Sequence, residues 1–442
     1  MEESDAHLDT GCLSFLRSLG SVDELEGAAR DRDLPVAPQP FNCHVHLPPN
    51  FSAFERVEQA VALAQEEGVR VLGASNYYDF SVYEPFVDEM RDVGIFPLFG
   101  TEIIALERDL LARNVRLNDP GNPGKVYICG KGITRFQTLS ERARTLLQTI
   151  RDNDARRMAA MAEKMAQTFK AGGLDTGLTA RRIISRVADR HACRRDTIVL
   201  QERHVAQAFQ EVGQSLIDAG DAVAVWPAVL GTAPQSRPED VVGLQNEIRS
   251  HLMKSGKPCF VPEDFLTLAE ARALIDELGG IVCYPVLADG VTPLCEYEAD
   301  VDALVGHLQG QQITMAEFIP LRNQPDCLET YVTRIRAAGI AVVAGTEHNT
   351  LALDPIDPTC AGGVPLPAAV RDIFWEGTCV VAAHQFLGVH GRCGFTDDRG
   401  RPHPGYASAE ERIAAFAALG RQVLARYFGE DAAGHPHGRD NC

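Results

Sequence analysis

The sequence predicts an α/β protein in which strands and helices alternate to form a barrel, and a helical segment interrupts that barrel. Three observations support this fold class. Short apolar segments alternate with amphipathic ones over residues 41–105, the alternation stops over 137–260, and it returns over 265–344. The chain has 442 residues, of which 45% are hydrophobic and 23% charged, so it can fill a large core.

The first part of the predicted barrel covers residues 41–136. Its pattern predicts strand 41–46, helix 53–68, strand 69–74, helix 83–93 and strand 95–99. We expect Ser52 to cap the first of these helices. A turn rich in Gly and Pro then leads to a strand at 126–129.

The predicted helical insertion covers residues 137–260, and its longest segment, Ser140–Lys170, contains few helix breakers. The barrel returns over 261–364, where the pattern predicts helix 267–278, strand 281–284, helix 299–309, strand 315–319, helix 327–338 and strand 340–344. Residues 1–40 are expected to form one short helix near 11–30 and a linker. Residues 365–442 are expected to form a C-terminal extension of two helices and a tail.

Composition limits the classes of partner. The formal net charge is -19, from 61 acidic and 42 basic residues, so we expect no long nucleic acid as a partner. The 12 cysteines include no Cys-x-x-Cys pair, which favours reduced thiols in a cytoplasmic protein. We expect neither a signal peptide nor a membrane partner. The expected partner is a small-molecule substrate, and a homo-oligomer is compatible with the sequence.

Polar side chains follow four of the predicted strands. His44 and His46 stand two residues apart at the end of the first strand, so their imidazoles point to the same face. The carboxyl ends of barrel strands meet at one rim, which brings this pair toward Asn76-Tyr77-Tyr78-Asp79, Glu102 and Glu347-His348-Asn349. Imidazoles and carboxylates are ligands for zinc, manganese or iron. The sequence therefore predicts a divalent-metal site at this rim.

Several of these segments resemble the polymerase and histidinol phosphatase (PHP) domain family, whose members are metal-dependent phosphoesterases on a distorted seven-stranded βα barrel. The similar segments are His44-Val45-His46, Phe96–Ile103, Ile275–Pro285, Ala316-Glu317-Phe318 and Ala344-Gly345-Thr346-Glu347. A branch of nucleotide phosphatases and exoribonucleases carries an Arg-x-His-x-Ala segment within a helical insertion, and residues 203–208 are similar to it. The resemblance implies a distorted TIM-like barrel with phosphoesterase chemistry.

The chain departs from the family pattern at several metal-ligand positions. Where the family has aspartate or histidine, this sequence has Asn76-Tyr77-Tyr78-Asp79, Tyr127, Tyr284 and Glu347-His348-Asn349. A phenol with a pKa near ~10 is a poor ligand for a divalent cation. We therefore expect one metal ion rather than three, held by His44, His46, Glu102 and one of Glu347 or His348.

The remaining polar residues are expected to handle the substrate. Tyr77, Tyr127 and Tyr284 would line the pocket as hydrogen-bond donors, the last two with a catalytic role. His204, in the insertion, would bind substrate or shuttle a proton. Binding of polar or anionic substrate groups is assigned to Asn76, Tyr77, Arg322, Asn323 and His384.

The leading hypothesis is a PHP-type metal-dependent hydrolase, in which metal-activated water attacks a small substrate that can carry a phosphate. One alternative is a sugar-acid isomerase or lyase with a single metal on the same barrel, because tyrosine-rich pockets suit proton transfer. The other alternative is a binding protein without catalysis, on a barrel whose metal site has decayed.

Overall fold

The computed structural model describes residues 11–31, 38–217, 222–237 and 239–429. Residues 32–37 of the predicted linker and the predicted tail beyond residue 429 lie outside the described residues. The strands are β1 (Phe41–Val45), β2 (Val71–Ala74), β3 (Phe96–Leu106), β4 (Lys125–Lys131), β5 (Leu266–Thr267), β6 (Ile281–Val286), β7 (Met315–Phe318) and β8 (Ala341–Ala344).

Fifteen α-helices surround or extend this sheet in the described part of the chain. They are α1 (Ser14–Arg17), α2 (Val22–Asp31), α3 (Val57–Glu66), α4 (Tyr83–Asp92), α5 (Arg108–Ala112), α6 (Glu141–Ala171), α7 (Ala180–His191), α8 (Glu202–Ser215), α9 (Ala222–Leu230), α10 (Val241–Ile248), α11 (Leu268–Glu277), α12 (Val301–Gly310), α13 (Pro325–Ala337), α14 (Ala368–Val389) and α15 (Ala409–Phe428). Short 3₁₀ turns lie at Gly11–Leu13, Arg195–Thr197, Pro320–Arg322 and Ala361–Gly363, and a π-helical turn at Arg249–Met253.

The main sheet nearly closes into a barrel. Its strands follow the order β1-β2-β3-β4-β6-β7-β8, and β5 adds to β3. Strand β4 runs antiparallel to both of its neighbours, whereas the other neighbouring strands on this path pair in parallel. At the seam, the Glu347 N–H donates to the His44 carbonyl at 2.9 Å and the His46 N–H donates to the Glu347 carbonyl at 2.8 Å. The expected distorted TIM-like barrel is confirmed.

The antiparallel strand β4 explains why β3 is longer than expected. Pairing of β2 with β3 ends at Ala74 and Phe99, but β3 continues to Leu106 because its second half pairs with β4. Glu102 therefore lies inside a strand and faces Cys129 across the ladder, rather than following a strand end. The Glu102 side chain is buried and projects from within a paired strand.

Two local expectations were wrong. The single helix expected near 11–30 is divided into α1 and α2. Ser52 does not cap α3, which begins at Val57 with Arg56 as its N-cap residue. The Ser52 hydroxyl instead donates to the His46 carbonyl at 2.7 Å, so it stabilises the loop that follows the histidine pair.

Helix α6 joins the barrel to the inserted helices. Ala143, Leu147 and Ile150, in its first half, pack into the barrel core. Its later residues, from Met158 to Phe169, belong to a second apolar cluster that extends through the insertion to Cys259. This shared helix places the inserted helices against the barrel. In the part of the chain that the structure describes, no helix combines the length and apolarity needed to cross a bilayer.

Candidate metal centre

Three ligand atoms converge inside the barrel. His44 and His46 point the same way from β1 and the residue after it, and Glu102 approaches from β3. His44 Nε2 lies 3.4 Å from His46 Nε2. Glu102 Oε2 lies 3.0 Å from His46 Nε2 and 3.6 Å from His44 Nε2. Ligands about 2.0–2.2 Å from one tetrahedral metal ion are separated by roughly 3.3–3.6 Å, so the three atoms have the spacing of a shared ligand set.

The donor chemistry also fits a cation. Glu102 Oε2 is buried and accepts no hydrogen bond from the described residues, although it lies 3.0 Å from His46 Nε2. Burying a carboxylate oxygen without a partner is costly, and a bound cation would remove that cost. Burial alone would raise the pKa of Glu102. His44 and His46 together lower this pKa by more than burial raises it, so it lies well below its usual range. Two imidazoles and one carboxylate fit zinc, manganese or iron(II).

The buried ion pair of Glu317 and Lys131 lies against His44. Glu317 Oε2 lies 2.9 Å from His44 Nδ1, which leaves Nε2 to face the other two ligand atoms. The second carboxylate oxygen of Glu317 accepts from Lys131 Nζ at 2.5 Å. Burial and the Lys131 charge lower the pKa of His44, but the Glu317 charge and the contacts with Glu102 and Glu317 together outweigh them, and the pKa rises to about 9. Carboxylates in this position fix the orientation of metal-binding imidazoles.

The structure does not bring Glu347 or His348 into this group. The Glu347 carboxylate pairs with the Arg322 guanidinium through both of its oxygens and accepts from Asn349 Nδ2 at 2.5 Å. The His348 ring nitrogens face Thr346 Oγ1 at 2.7 Å and the Asp354 carbonyl at 2.9 Å. The expectation of a fourth ligand from this pair is therefore corrected, because His348 has no free ring nitrogen and Glu347 is held by an arginine.

The ligand group adjoins a cavity of about 560 Å³ between the barrel and the inserted helices. Of the expected residues, Glu102, Tyr77, Tyr127, Arg322 and Glu347 line it. The Tyr77 ring stacks on the His46 ring, with centroids 4.9 Å apart and planes at 7°. Burial raises the pKa of Tyr127 to about 12, so its phenol stays protonated at neutral pH.

One cation of this cavity, Arg203, has no acidic partner in the part of the chain that the structure describes. The lining cations are Lys125, Arg157, Arg203, Arg249, Lys254 and Arg322. Each of the others has a carboxylate oxygen within 4.0 Å, whereas no described carboxylate lies that close to Arg203. Burial, together with Arg249, lowers the pKa of Arg203 to about 10. A half-buried guanidinium without a carboxylate is available to an anionic ligand.

Arg203 lines the cavity, whereas the sequence predicted that role for the adjacent His204. His204 Nδ1 accepts from the Gln201 N–H at 3.0 Å and so caps helix α8. The His204 ring packs edge-on against Phe51 at 5.3 Å and does not line the cavity. The expected catalytic role of His204 is therefore corrected. Arg203, the residue directly before His204, lines the cavity instead.

Two expected substrate-binding amides stabilise the backbone instead. Asn76 accepts from the Leu47 N–H and donates to the Leu47 carbonyl, both at 2.8 Å. Asn323 Nδ2 donates to the Leu287 carbonyl at 2.7 Å and to Asp289 Oδ1 at 2.9 Å. Because these amide groups are occupied within the protein, neither offers them to a substrate.

Tyr284 and His384 are likewise occupied away from the cavity. The Tyr284 hydroxyl donates to Glu298 Oε1 at 2.9 Å, and both groups are buried. His384 Nε2 faces the Gly279 carbonyl at 3.0 Å, and His384 Nδ1 accepts from the Phe395 N–H at 3.0 Å. The catalytic role expected of Tyr284 and the substrate role expected of His384 are corrected to structural ones.

The sequence of this chain matches no family model and no curated protein. Among solved structures, a protein of Bifidobacterium adolescentis, to which a metal-dependent phosphoesterase activity has been attributed, gives a TM-score of 0.50 at 14% identity, over 76% of this chain and 96% of that one. An amidohydrolase of Chromobacterium violaceum, solved with sulfate and without metal, gives 0.48 at 15% identity, over 73% and 93%. At 14% identity, the first likeness establishes a common fold.

Proposed function

We propose that this protein is a PHP-type metal-dependent hydrolase that acts on a small phosphorylated molecule. The observation that carries the proposal is the convergence of His44 Nε2, His46 Nε2 and Glu102 Oε2 beside a cavity that Glu102 lines. The barrel shared with a protein described as a metal-dependent phosphoesterase adds support at the level of the fold.

His44, His46 and Glu102 would hold the metal, and the Glu317 carboxylate would keep the His44 ring in its binding orientation. A divalent cation in such a site supplies an activated water and polarises a substrate oxygen. Tyr77, stacked on His46, separates the histidine pair from part of the cavity. The Tyr127 phenol, which stays protonated, can donate a hydrogen bond to a substrate oxygen.

The substrate class follows from the charges of the cavity. Among the described residues, no carboxylate oxygen lies within 4.0 Å of Arg203, whereas Arg322 is held by Glu347 and Lys125 by Glu263 and Asp119. One uncompensated guanidinium favours a ligand that carries an anionic group, and phosphate accepts its forked donors well. A volume of about 560 Å³ suits a small molecule rather than a polymer.

The test is a substrate screen on the purified chain, loaded separately with Zn²⁺, Mn²⁺ or Fe²⁺. The substrates are a nucleoside monophosphate, a phosphodiester and a panel of sugar acids. We expect hydrolysis of a phosphoester, measured as inorganic phosphate from the monophosphate or as the released alcohol from the phosphodiester. Arg203→Met should lower kcat/KM by roughly 10–100-fold, because a charged hydrogen bond contributes about 1.5–3 kcal/mol.

The matched control is Arg186→Met, which removes an exposed arginine that pairs with Glu211 at 3.0 Å on the same insertion. It should leave kcat/KM within about twofold of the unmodified chain. Turnover of a sugar acid without phosphate release would favour the isomerase or lyase instead. Absence of both metal uptake and turnover would favour a binding protein.

A further inference from the structure

A lysine ammonium lies beneath the proposed metal centre. Lys131, the last residue of β4, has a side chain that is only 2% exposed. Its Nζ donates to Glu317 Oε1 at 2.5 Å, to the Cys43 carbonyl at 3.2 Å and to Ser75 Oγ at 3.3 Å. Three oxygen acceptors match the three N–H groups of an ammonium, so this cation is fully satisfied inside the barrel.

The carboxylate that holds this ammonium belongs to a second group of potential metal ligands. His44, Cys129 and Glu317 each offer one ligand atom, these atoms lie within 4.8 Å of one another, and all three residues are buried. An imidazole, a thiolate and a carboxylate are ligands that zinc accepts. In this chain, however, Glu317 already forms a salt bridge with Lys131, whose Nζ lies 2.5 Å from Glu317 Oε1.

We propose that Lys131 is an internal counter-cation that excludes a second metal ion from the group formed by His44, Cys129 and Glu317. The inference rests on the proposed function only for the first ion, at His44, His46 and Glu102. A divalent cation placed against Glu317 would meet an ammonium without solvent to screen the two charges. Lys131 neutralises the charge of Glu317 through one carboxylate oxygen. The other oxygen faces His44 Nδ1 and orients that ring.

The proposal predicts that removing the ammonium creates a second metal site at Cys129 and Glu317, and that His44 Nδ1, which faces Glu317, releases its proton to solvent on joining that site. Lys131→Met keeps most of the side-chain stem and leaves Glu317 without its cation. Metal per chain, measured by mass spectrometry after saturation and gel filtration, should rise from one ion in the unmodified protein to two in Lys131→Met. With Co²⁺, the added ion should produce a thiolate-to-cobalt absorption band in the near ultraviolet, because Cys129 is part of the group.

Two double variants separate this effect from a general loosening of the fold. Lys131→Met with Glu317→Gln has neither charge of the pair and should return to one ion. Lys131→Met with Cys129→Ser should lose the thiolate band. If Lys131→Met does not fold, Lys131→Ala is measured in the same way, with the same prediction.

One ion in the folded single variant, or two ions in the unmodified chain, would overturn the proposal. Failure of the proposed function gives a different pattern, namely one ion in the unmodified chain and two in the variant without phosphoester turnover. In that case, the counter-cation role of Lys131 stands although the hydrolase does not.

Discussion

Replacing Gly345 with alanine should disturb the metal centre through the backbone. Gly345 follows β8 at the seam of the barrel, where its Cα faces His44. A Cβ added there would lie 2.3 Å from His44 Cβ and 3.0 Å from His44 Cα and N. Since ordinary contact begins at 3.4 Å, the seam would have to open by about 1 Å (3.4 less 2.3) to relieve the overlap.

The size of the effect follows from this displacement. Overpacking of this kind costs about 1–3 kcal/mol of folding free energy. Metal-ligand distances tolerate only about 0.2 Å, so a shift of His44 by about 1 Å should weaken metal binding by at least ~10–100-fold. The expected phenotype is therefore a modest loss of thermal stability together with a large loss of metal affinity.

The assay combines metal titration by calorimetry with thermal unfolding of the metal-free protein. Gly306→Ala is the matched control, because a Cβ at this position in α12 would contact nothing within 4 Å. That control should keep full metal affinity and gain about 0.5–1 kcal/mol from the better helix former. Unchanged metal affinity in Gly345→Ala would refute the reasoning that the close approach at this seam positions His44.

Two further predictions concern residues that the structure assigns to the scaffold. Burial lowers the pKa of His384 from 6.5 to about 4, so the native state should lose stability as the pH falls from 6.5 toward 4. His384→Gln can keep both hydrogen bonds without titrating. Between pH 6.5 and 4, its free energy of unfolding relative to the unmodified chain should therefore improve by about 3 kcal/mol. A difference that stays constant with pH would contradict protonation of His384 as the cause. Tyr284→Phe removes the donor to Glu298 and should lower stability by about 1–3 kcal/mol while leaving kcat unchanged, as measured by denaturant unfolding and steady-state assays. A large loss of kcat at full stability would restore a catalytic role for Tyr284.

The barrel could be predicted because apolar segments and amphipathic helices alternate along the chain. The direction of β4 could not, since a short apolar strand reads alike in both directions. That direction has consequences for the site, because it extends β3 and places Glu102 inside a strand. His44, His46 and Glu102 were predicted as ligands, and the structure places them together.

The remaining assignments depended on local conformation that residue type does not determine. Glu347 and His348 both adopt left-handed backbone conformations, with φ of 60° and 50°, and their side chains are held by partners away from the histidine pair. Sequence could not show that His204 caps helix α8 while Arg203, one residue earlier, lines the cavity. The buried position of Lys131 could not be predicted, because buried lysines are rare and its partner Glu317 lies 186 residues away in the sequence.

The central claim is that one divalent cation binds to His44, His46 and Glu102. Its most direct test is the metal content of the purified chain and of Glu102→Gln after saturation with Zn²⁺ and gel filtration. Glu298→Gln, a change at a buried carboxylate bonded to Tyr284, is the control. We predict about one ion per chain in the unmodified protein and the control, and close to none in Glu102→Gln. A full complement of metal in Glu102→Gln, or none in the unmodified chain, would contradict the claim.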